Sequence, residues 1–436
     1  MQRLNSIRNL SRKWLTFGHR WLGLVAAPFL IITGLTGAII SWDHELDDWL
    51  NPHLRSVTTQ GEKKSPLALV KLIEEKYPEV KVASVPLYTE DAESLVLFVM
   101  PKQNPDTGRL FEPGFNQIFL DPVTGEELGK REWGAVWPVN SENFISFLYK
   151  LHFSLHLPEM FGTDRWGIWL LGGIAIIWTI DCFIGFYLTL PVAKQQHTLP
   201  QKYKRSFRTG WKKAWAIRTK AGNFKFNYDL HRAFGLWTWI LLFLIAFTAF
   251  ALNLRREVFM PALSSVTTIT SSPLERRARS PLHQPIIPTL EYADILPSAI
   301  KEAKNNAWDE PASRAGYFMN TGVYSVEFFY PEADHGVAGG GHKRLLFDGN
   351  TGELLGARVP WTGTTGDIIA QAQFPIHSGR ILDLPGRIMI SIMGIIVAML
   401  SITGFYIWWK KRKAKQISSD IVKSQLQALH ATSQRA

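Results

Sequence analysis

The chain has 436 residues, of which 46% are hydrophobic and 19% charged, with one cysteine and 17 tryptophans. A charged share well below the ~25% of soluble domains excludes a disordered or coiled-coil chain, and a lone Cys182 excludes an intramolecular disulfide framework and a cysteine-ligated zinc or iron–sulfur site. The net charge is +11, so the placement of the basic residues decides what the excess means.

Residues 1–20 carry five Lys/Arg and no acid. Trp21–Trp42 then runs 22 residues without a charge. About 20 apolar residues cross a hydrocarbon core as a helix, so this is the first expected span. It is too long for a leader peptide's apolar core and lacks a small-residue cleavage site, and it reads as retained. Residues 43–165 carry 12 basic and 20 acidic side chains. Within them Leu67–Tyr77 has helical periodicity, and Lys81–Pro86, Ser94–Met100 and Gln117–Leu120 read as strands. The second span is 166–190, with a single charge at Asp181. The loop 191–232 holds ten Lys/Arg against one acid between 191 and 230. A third, uncharged span is expected at 233–254. In 255–385, Tyr292–Asn306 reads as helix, and Tyr317–Phe318, Tyr324–Phe329 and Arg344–Phe347 as strands. The fourth span, 386–409, carries only Arg387, and the tail 410–436 is again basic.

Basic residues concentrate at both termini and in the central loop. By the positive-inside rule these are cytoplasmic, and 43–165 and 255–385 are extracytoplasmic. The excess charge is then a topology and anionic-lipid signal, not a nucleic-acid footprint.

The chain also repeats itself. Gly18-His-Arg-Trp-Leu-Gly-Leu24 matches Leu230-His-Arg-Ala-Phe-Gly-Leu236; Phe153-Ser-Leu-His156 matches Phe374-Pro-Ile-His377; Gly185-Phe-Tyr187 matches Gly404-Phe-Tyr406. Outside the spans, the D-x-x-T-G-E stretch from Asp121 matches that from Asp348, and its Asp and Gly suit a structural hairpin corner. The expected fold is an α-helical membrane protein of four spans in two parallel tandem repeats, each with its own small extracytoplasmic α+β domain.

The repeat pairs the histidines. His19 and His231 fall at the cytoplasmic ends of spans one and three, and His156 and His377 at the outer ends of spans two and four. His152 lies one turn before His156, so the two are expected to share a helical face. Facing imidazoles at one depth suit a planar metal centre with two axial ligands, and imidazole is a common haem ligand. Gly34, Gly37, Gly172, Gly173, Gly185, Gly394 and Gly404 suit close packing or a flat macrocycle. Asp181 is an intramembrane carboxylate, expected to relay protons or to partner a buried base. Arg20 and Arg232 could pair with haem propionates or anchor the inner face, and Arg380 and Arg387 could do the same outside. His44 and His53 have no repeat partner and read as surface residues, Cys182 as packing. The Gly-rich loop Asp334–His342 reads as a flexible insertion.

The stretches HRWLGL at 19–24, LHFSLHLP at 151–158, DCFIGFYLTLP at 181–191, FPIHSGR at 374–380 and LPGR at 384–387 resemble the bacterial PepSY-associated transmembrane family, sometimes called iron-regulated membrane proteins. The likeness covers all four spans and both outer segments, in order and spacing. It implies PepSY-like outer domains and an inner-membrane ferric-siderophore reductase carrying two b-type haems. His19, His231, His156 and His377 are then the implied axial ligands, with His152 as rival to His156. The expected partners are a ferric siderophore outside and a quinol or cytoplasmic reductase as donor, since no Gly-rich dinucleotide fingerprint is present. A non-catalytic sensor or regulator, or a small secondary transporter, are the competing readings. The transporter is disfavoured because four spans are few and none reads as broken; of these two rivals, a proton-coupled transporter should depend on Asp181 and a binding module should tolerate its replacement.

Overall fold

A computed structural model describes residues 2–191, 207–281, 283–331 and 335–433. The basic run 192–206 and Asp334 lie outside these. The chain divides into a helical unit (Met1–Ile39, Leu151–Arg255 and Met389–Ala436) and a sheet unit (Ile40–Lys150 and Arg256–Ile388).

The helical unit is built from α1 (Gln2–Ile40), α5 (Trp166–Thr189), α6 (Asn223–Trp237), α7 (Trp239–Asn253) and α10 (Asp383–Ser433). Among the described residues, three helical segments are long and apolar enough to cross a membrane: Leu10–Ile40, Trp166–Thr189 and Arg380–Gln425. The third expected span is not one helix. It breaks between α6 and α7 with a 73° bend, and only as a bent pair does it bring the number to four. No proline is needed for this. Thr238 stands at the break with φ −107° and ψ 12°, and its hydroxyl donates to the Phe234 carbonyl at 2.7 Å. Beyond the break, Trp239 Nε1 donates to the Cys182 carbonyl of α5 at 2.9 Å and ties α7 to its neighbour. Helix α1 meets α10 through glycines: a Cβ on Gly34 would lie 2.6 Å from the Gly394 carbonyl oxygen. Small residues permit such contact where lipid offers no hydrophobic drive between helices. Cys182 is buried, as expected of a packing residue.

The sheet unit contains α2 (Asp43–Leu50), α3 (Pro66–Lys76), strands β1 (Val80–Pro86), β2 (Leu95–Pro101), β3 (Gln117–Leu120) and β4 (Glu127–Arg131), helix α8 (Tyr292–Asn305), strands β5 (Ala312–Phe318), β6 (Val323–Phe328), β7 (Lys343–Asp348) and β8 (Leu354–Arg358), and α9 (Thr365–Ser378). Helix α4 (Ser141–Ser154) leads from this unit into the helical one. The expectation of two separate α+β domains is corrected. All eight strands form one antiparallel sheet in the order β4-β3-β2-β1-β5-β6-β7-β8. The halves join where Ser84, Val85 and Pro86 of β1 face Gly316, Ala315 and Arg314 of β5.

The chemistry of the seam explains the fusion. Helices α3 (Leu69, Val70, Ile73) and α8 (Tyr292, Ile295, Ala299) bury their apolar stripes in a single core with both sets of strands. Lys81 of β1 is buried there and donates to Glu74 of the first half (2.9 Å) and Glu291 of the second (2.7 Å). The D-x-x-T-G-E stretches are structural corners, as expected. Asp121 Oδ1 accepts from the amides of Val123 and Thr124, and Asp348 Oδ1 from those of Asn350 and Thr351. Gly125 and Gly352 complete the turns at φ 78° and 73°, a backbone region that favours glycine.

Glu327 of β6 sets an acid limit on this unit. Burial alone would raise its pKa, but the hydrogen bond from His342 and the charges of Arg344 and Arg314 outweigh burial and hold the carboxyl at about 2. A carboxyl depressed on folding contributes stability above its ordinary value and loses it as pH falls towards the folded value. The sheet unit is expected to lose stability progressively as pH falls from about 4.5 to about 2, with a smaller loss in Glu327→Gln. Near-ultraviolet circular dichroism against pH measures this.

Candidate functional site

Helix α1 carries His19 and α6 carries His231, and the structure brings the two rings together: centroids 6.2 Å apart, planes at 62°. Each ring is held by its Nδ1. His19 Nδ1 lies 2.9 Å from both carboxylate oxygens of Asp181 on α5. His231 Nδ1 donates to the Leu400 carbonyl of α10 at 2.9 Å and to Thr403 Oγ1 at 3.1 Å. These contacts leave Nε2 as the nitrogen of each ring through which a further ligand could bind. A metal-ligating histidine usually donates its other N–H to a carboxylate or a main-chain carbonyl, and here one ring has each.

The spacing also fits. Two metal–nitrogen bonds of about 2 Å and two ring radii of about 1 Å sum to about 6 Å. Glycines make room for the rings. A Cβ on Gly185 would lie 3.4 Å from His19 Cε1, and one on Gly404 would lie 3.2 Å from His231 Cε1. These two glycines open the repeated Gly-Phe-Tyr stretches, so the repeat supplies each ring with an equivalent glycine from the neighbouring span. The glycines read as packing positions therefore divide: Gly34 and Gly394 pack helix on helix, whereas Gly185 and Gly404 face imidazoles.

His152 follows the same pattern. Its Nδ1 contacts Thr36 Oγ1 at 3.1 Å, and a Cβ on Gly37 would lie 2.9 Å from its Cε1. The expectation that His152 and His156 share a helical face is corrected. Helix α4 ends at Ser154, and Leu155 and His156 take left-handed backbone, φ 55° and 53°. Leu157-Pro158 follows, and the residue before proline is disfavoured in a helix. His377 lies in the last turn of α9 and belongs to the sheet unit, while His152 and His156 belong to the helical unit.

The arginines are placed as follows. Arg20 is exposed and stacks on Phe17 and Trp21. Arg232 bonds the fully buried Asp229 at 3.0 Å, beside Arg218, which reaches the same carboxylate at 2.6 Å. Arg380 lies 3.6 Å from Asp43. Arg387 stacks over Trp42 at 4.5 Å and bonds Glu45 at 2.7 Å. Of the residues read as surface, His53 reaches Glu142 at 2.9 Å, and the His44 ring lies 5.5 Å from that of His335. The described part of the Gly-rich loop is pinned, contrary to the flexible insertion expected. Trp361 Nε1 donates to Val337 and Arg358 to Gly340, and His342 is buried with its ring stacked on Phe329 at 3.8 Å.

Sequence reasoning missed Thr36, Thr403 and the Leu400 carbonyl. A signal for the last was present: Asp181 and Leu400 each stand four residues before the glycine of a Gly-Phe-Tyr stretch.

Fold and site together define a multi-pass membrane protein whose helices are joined to an antiparallel sheet. The chain matches the family described as PepSY-associated TM region over residues 18–411, and it belongs to that family. No curated protein matches it.

Proposed function

We propose that the chain is a bacterial inner-membrane oxidoreductase that passes electrons across the bilayer through two b-type haems, reduces an extracytoplasmic ferric siderophore and so releases iron as Fe(II). One observation carries this reading: two imidazoles from different helices, 6.2 Å apart, each fixed through Nδ1. A haem bound between them would supply one-electron redox chemistry. His19 and His231 would hold the inner group. For the outer group, the glycine-faced, Nδ1-bonded ring of His152 is favoured over that of His156. Asp181 and the Leu400 carbonyl orient the inner rings. Arg20 and Arg380 are the arginines closest in sequence to His19 and His377 and are candidates for propionate contacts, whereas Arg232 is engaged by Asp229. The donor is of the quinol class or a cytoplasmic reductase, giving one electron per Fe(III). Hard oxygen chelators hold Fe(II) less tightly than Fe(III), which frees the metal.

A secondary transporter gains one supporting observation, the broken third span. Its expected intramembrane carboxylate, however, is bonded to His19. A sensor built on the sheet unit gives no role to the paired rings.

The test uses vesicles carrying the purified protein, a reductant sealed inside, and ferric siderophore with an Fe(II)-specific chelator outside. Fe(II) is expected to accumulate with the protein and not without it. Equal rates in protein-free vesicles would remove the reductase reading.

A further inference from the structure

The two inner histidines have surroundings that correspond through the repeat but differ in what their Nδ1 atoms meet, and Thr403 beside His231 stands where the other repeat has Ile184. At the position four residues before the Gly-Phe-Tyr glycine, one repeat has a carboxylate, Asp181, and the other a leucine whose main-chain carbonyl takes its place. His19 Nδ1 therefore meets an anion at 2.9 Å, while His231 Nδ1 meets neutral acceptors, the Leu400 carbonyl at 2.9 Å and the Thr403 hydroxyl at 3.1 Å. The Asp181 side chain is 13% exposed, and its ion pair is with His19.

We propose that Asp181 is the potential-setting residue of the His19/His231 site, holding its potential below the value a neutral acceptor at that position would give. This rests on the haem reading above. A carboxylate that accepts the Nδ1–H strengthens imidazole as a ligand through Nε2, and an electron-rich ligand favours the oxidised metal. The buried charge acts in the same direction. A histidine that ligates through Nε2 and keeps its proton on Nδ1 is neutral, so Asp181 is left facing the metal centre as its counter-charge. In a low-dielectric bundle an anion this close favours the state with one more positive charge. The repeat has thus kept an Nδ1 acceptor for each inner ring and placed a carboxylate beside only one of them.

The experiment is a spectroelectrochemical titration of the purified full chain, with haem content measured on the same samples. The component that disappears in His231→Ala is that of the His19/His231 site. In Asp181→Asn, haem content is expected to hold while that component shifts upward by about tenfold in its redox equilibrium constant, about 59 mV for one electron. Asp181→Glu should restore most of the shift. An unchanged potential in Asp181→Asn with haem retained would overturn the proposal. If Asp181→Asn loses haem, Asp181→Glu decides: a His231-dependent component close to its wild-type potential supports the proposal, and one shifted upward by about tenfold with haem retained overturns it. Absence of haem in the wild type would instead remove the underlying reading.

Discussion

His231→Ala is expected to lower bound haem from about two to about one per chain and to cut ferric-siderophore reduction by more than tenfold, with the helical content unchanged. The centre postulated between α1 and α6 needs both rings, since either alone offers one axial nitrogen. The cost extends beyond affinity. Loss of even an outer-sphere partner of a metal ligand typically costs 10–100-fold, and loss of the ligand itself costs more. His231 is the cleaner choice for this test. Its Nδ1 partners, the Leu400 carbonyl and the Thr403 hydroxyl, are neutral, and the Thr403 hydroxyl also bonds the Met399 carbonyl within its own helix. His19→Ala should remove the same haem but also strip Asp181 of its ion-pair partner, so it should lower thermal stability as well. A pyridine haemochrome assay per chain, read beside circular dichroism, separates the two effects.

Asp47→Ala is expected to destabilise the sheet unit by about 3–5 kcal/mol. Asp47 of α2 is 5% exposed and receives Arg131 of β4 as a two-pronged pair, both contacts at 2.8 Å. Arg55 bonds the same carboxylate at 2.8 Å and Asn51 at 3.0 Å. The Arg131 side chain is itself only 3% exposed. Burial pushes the Asp47 carboxyl up, but the hydrogen bonds and charges of Arg131 and Arg55 outweigh it, and the net pKa lies below the ordinary carboxylate value. Removing the acid leaves a buried guanidinium without its counter-ion, which is the costly way to break such a pair. Asp47→Asn should cost less because it keeps one acceptor oxygen and the volume of the side chain. Chemical denaturation followed by protease susceptibility of residues 40–150 measures the difference. A midpoint unchanged in Asp47→Ala would mean that the network is solvated and contributes little.

Much of this architecture was legible in local pattern. The apolar run 166–190 matches its helix closely at Trp166–Thr189, the first and fourth helices run on past their apolar runs to Gln2 and Ser433, and the helix expected at Leu67–Tyr77 occurs at Pro66–Lys76. What escaped depends on contacts distant in sequence. Strands β4 and β8 (ELGKR and LLGAR) are short, carry a glycine and lack clean alternation, so they declare themselves only when paired with β3 and β7. The fusion of the two halves into one sheet rests on β1 meeting β5 and on Lys81 bridging Glu74 and Glu291, pairings that no window of sequence contains. The bend at Thr238 was hidden because the run 233–254 is uncharged and holds no proline, so it reads as continuous. Similarly, His152 and His156 read as one face because i and i+4 align only while the helix lasts, and this one ends at Ser154.

At the candidate site the repeat revealed which histidines correspond, and His19 and His231 do meet. It did not reveal what holds them. Asp181 was legible as an intramembrane acid with two expected roles, relay or partner to a base. Its contact with His19 is that of a partner, and the contact depends on the rotation of α5 against α1.

The most direct test of the central claim is a dithionite-reduced minus oxidised visible spectrum of the purified protein, expressed with adequate haem supply and with haem quantified per chain. The account predicts sharp b-type α and Soret bands at about two haems per chain, falling to about one in His231→Ala. A wild-type protein without haem bands under those conditions would contradict it.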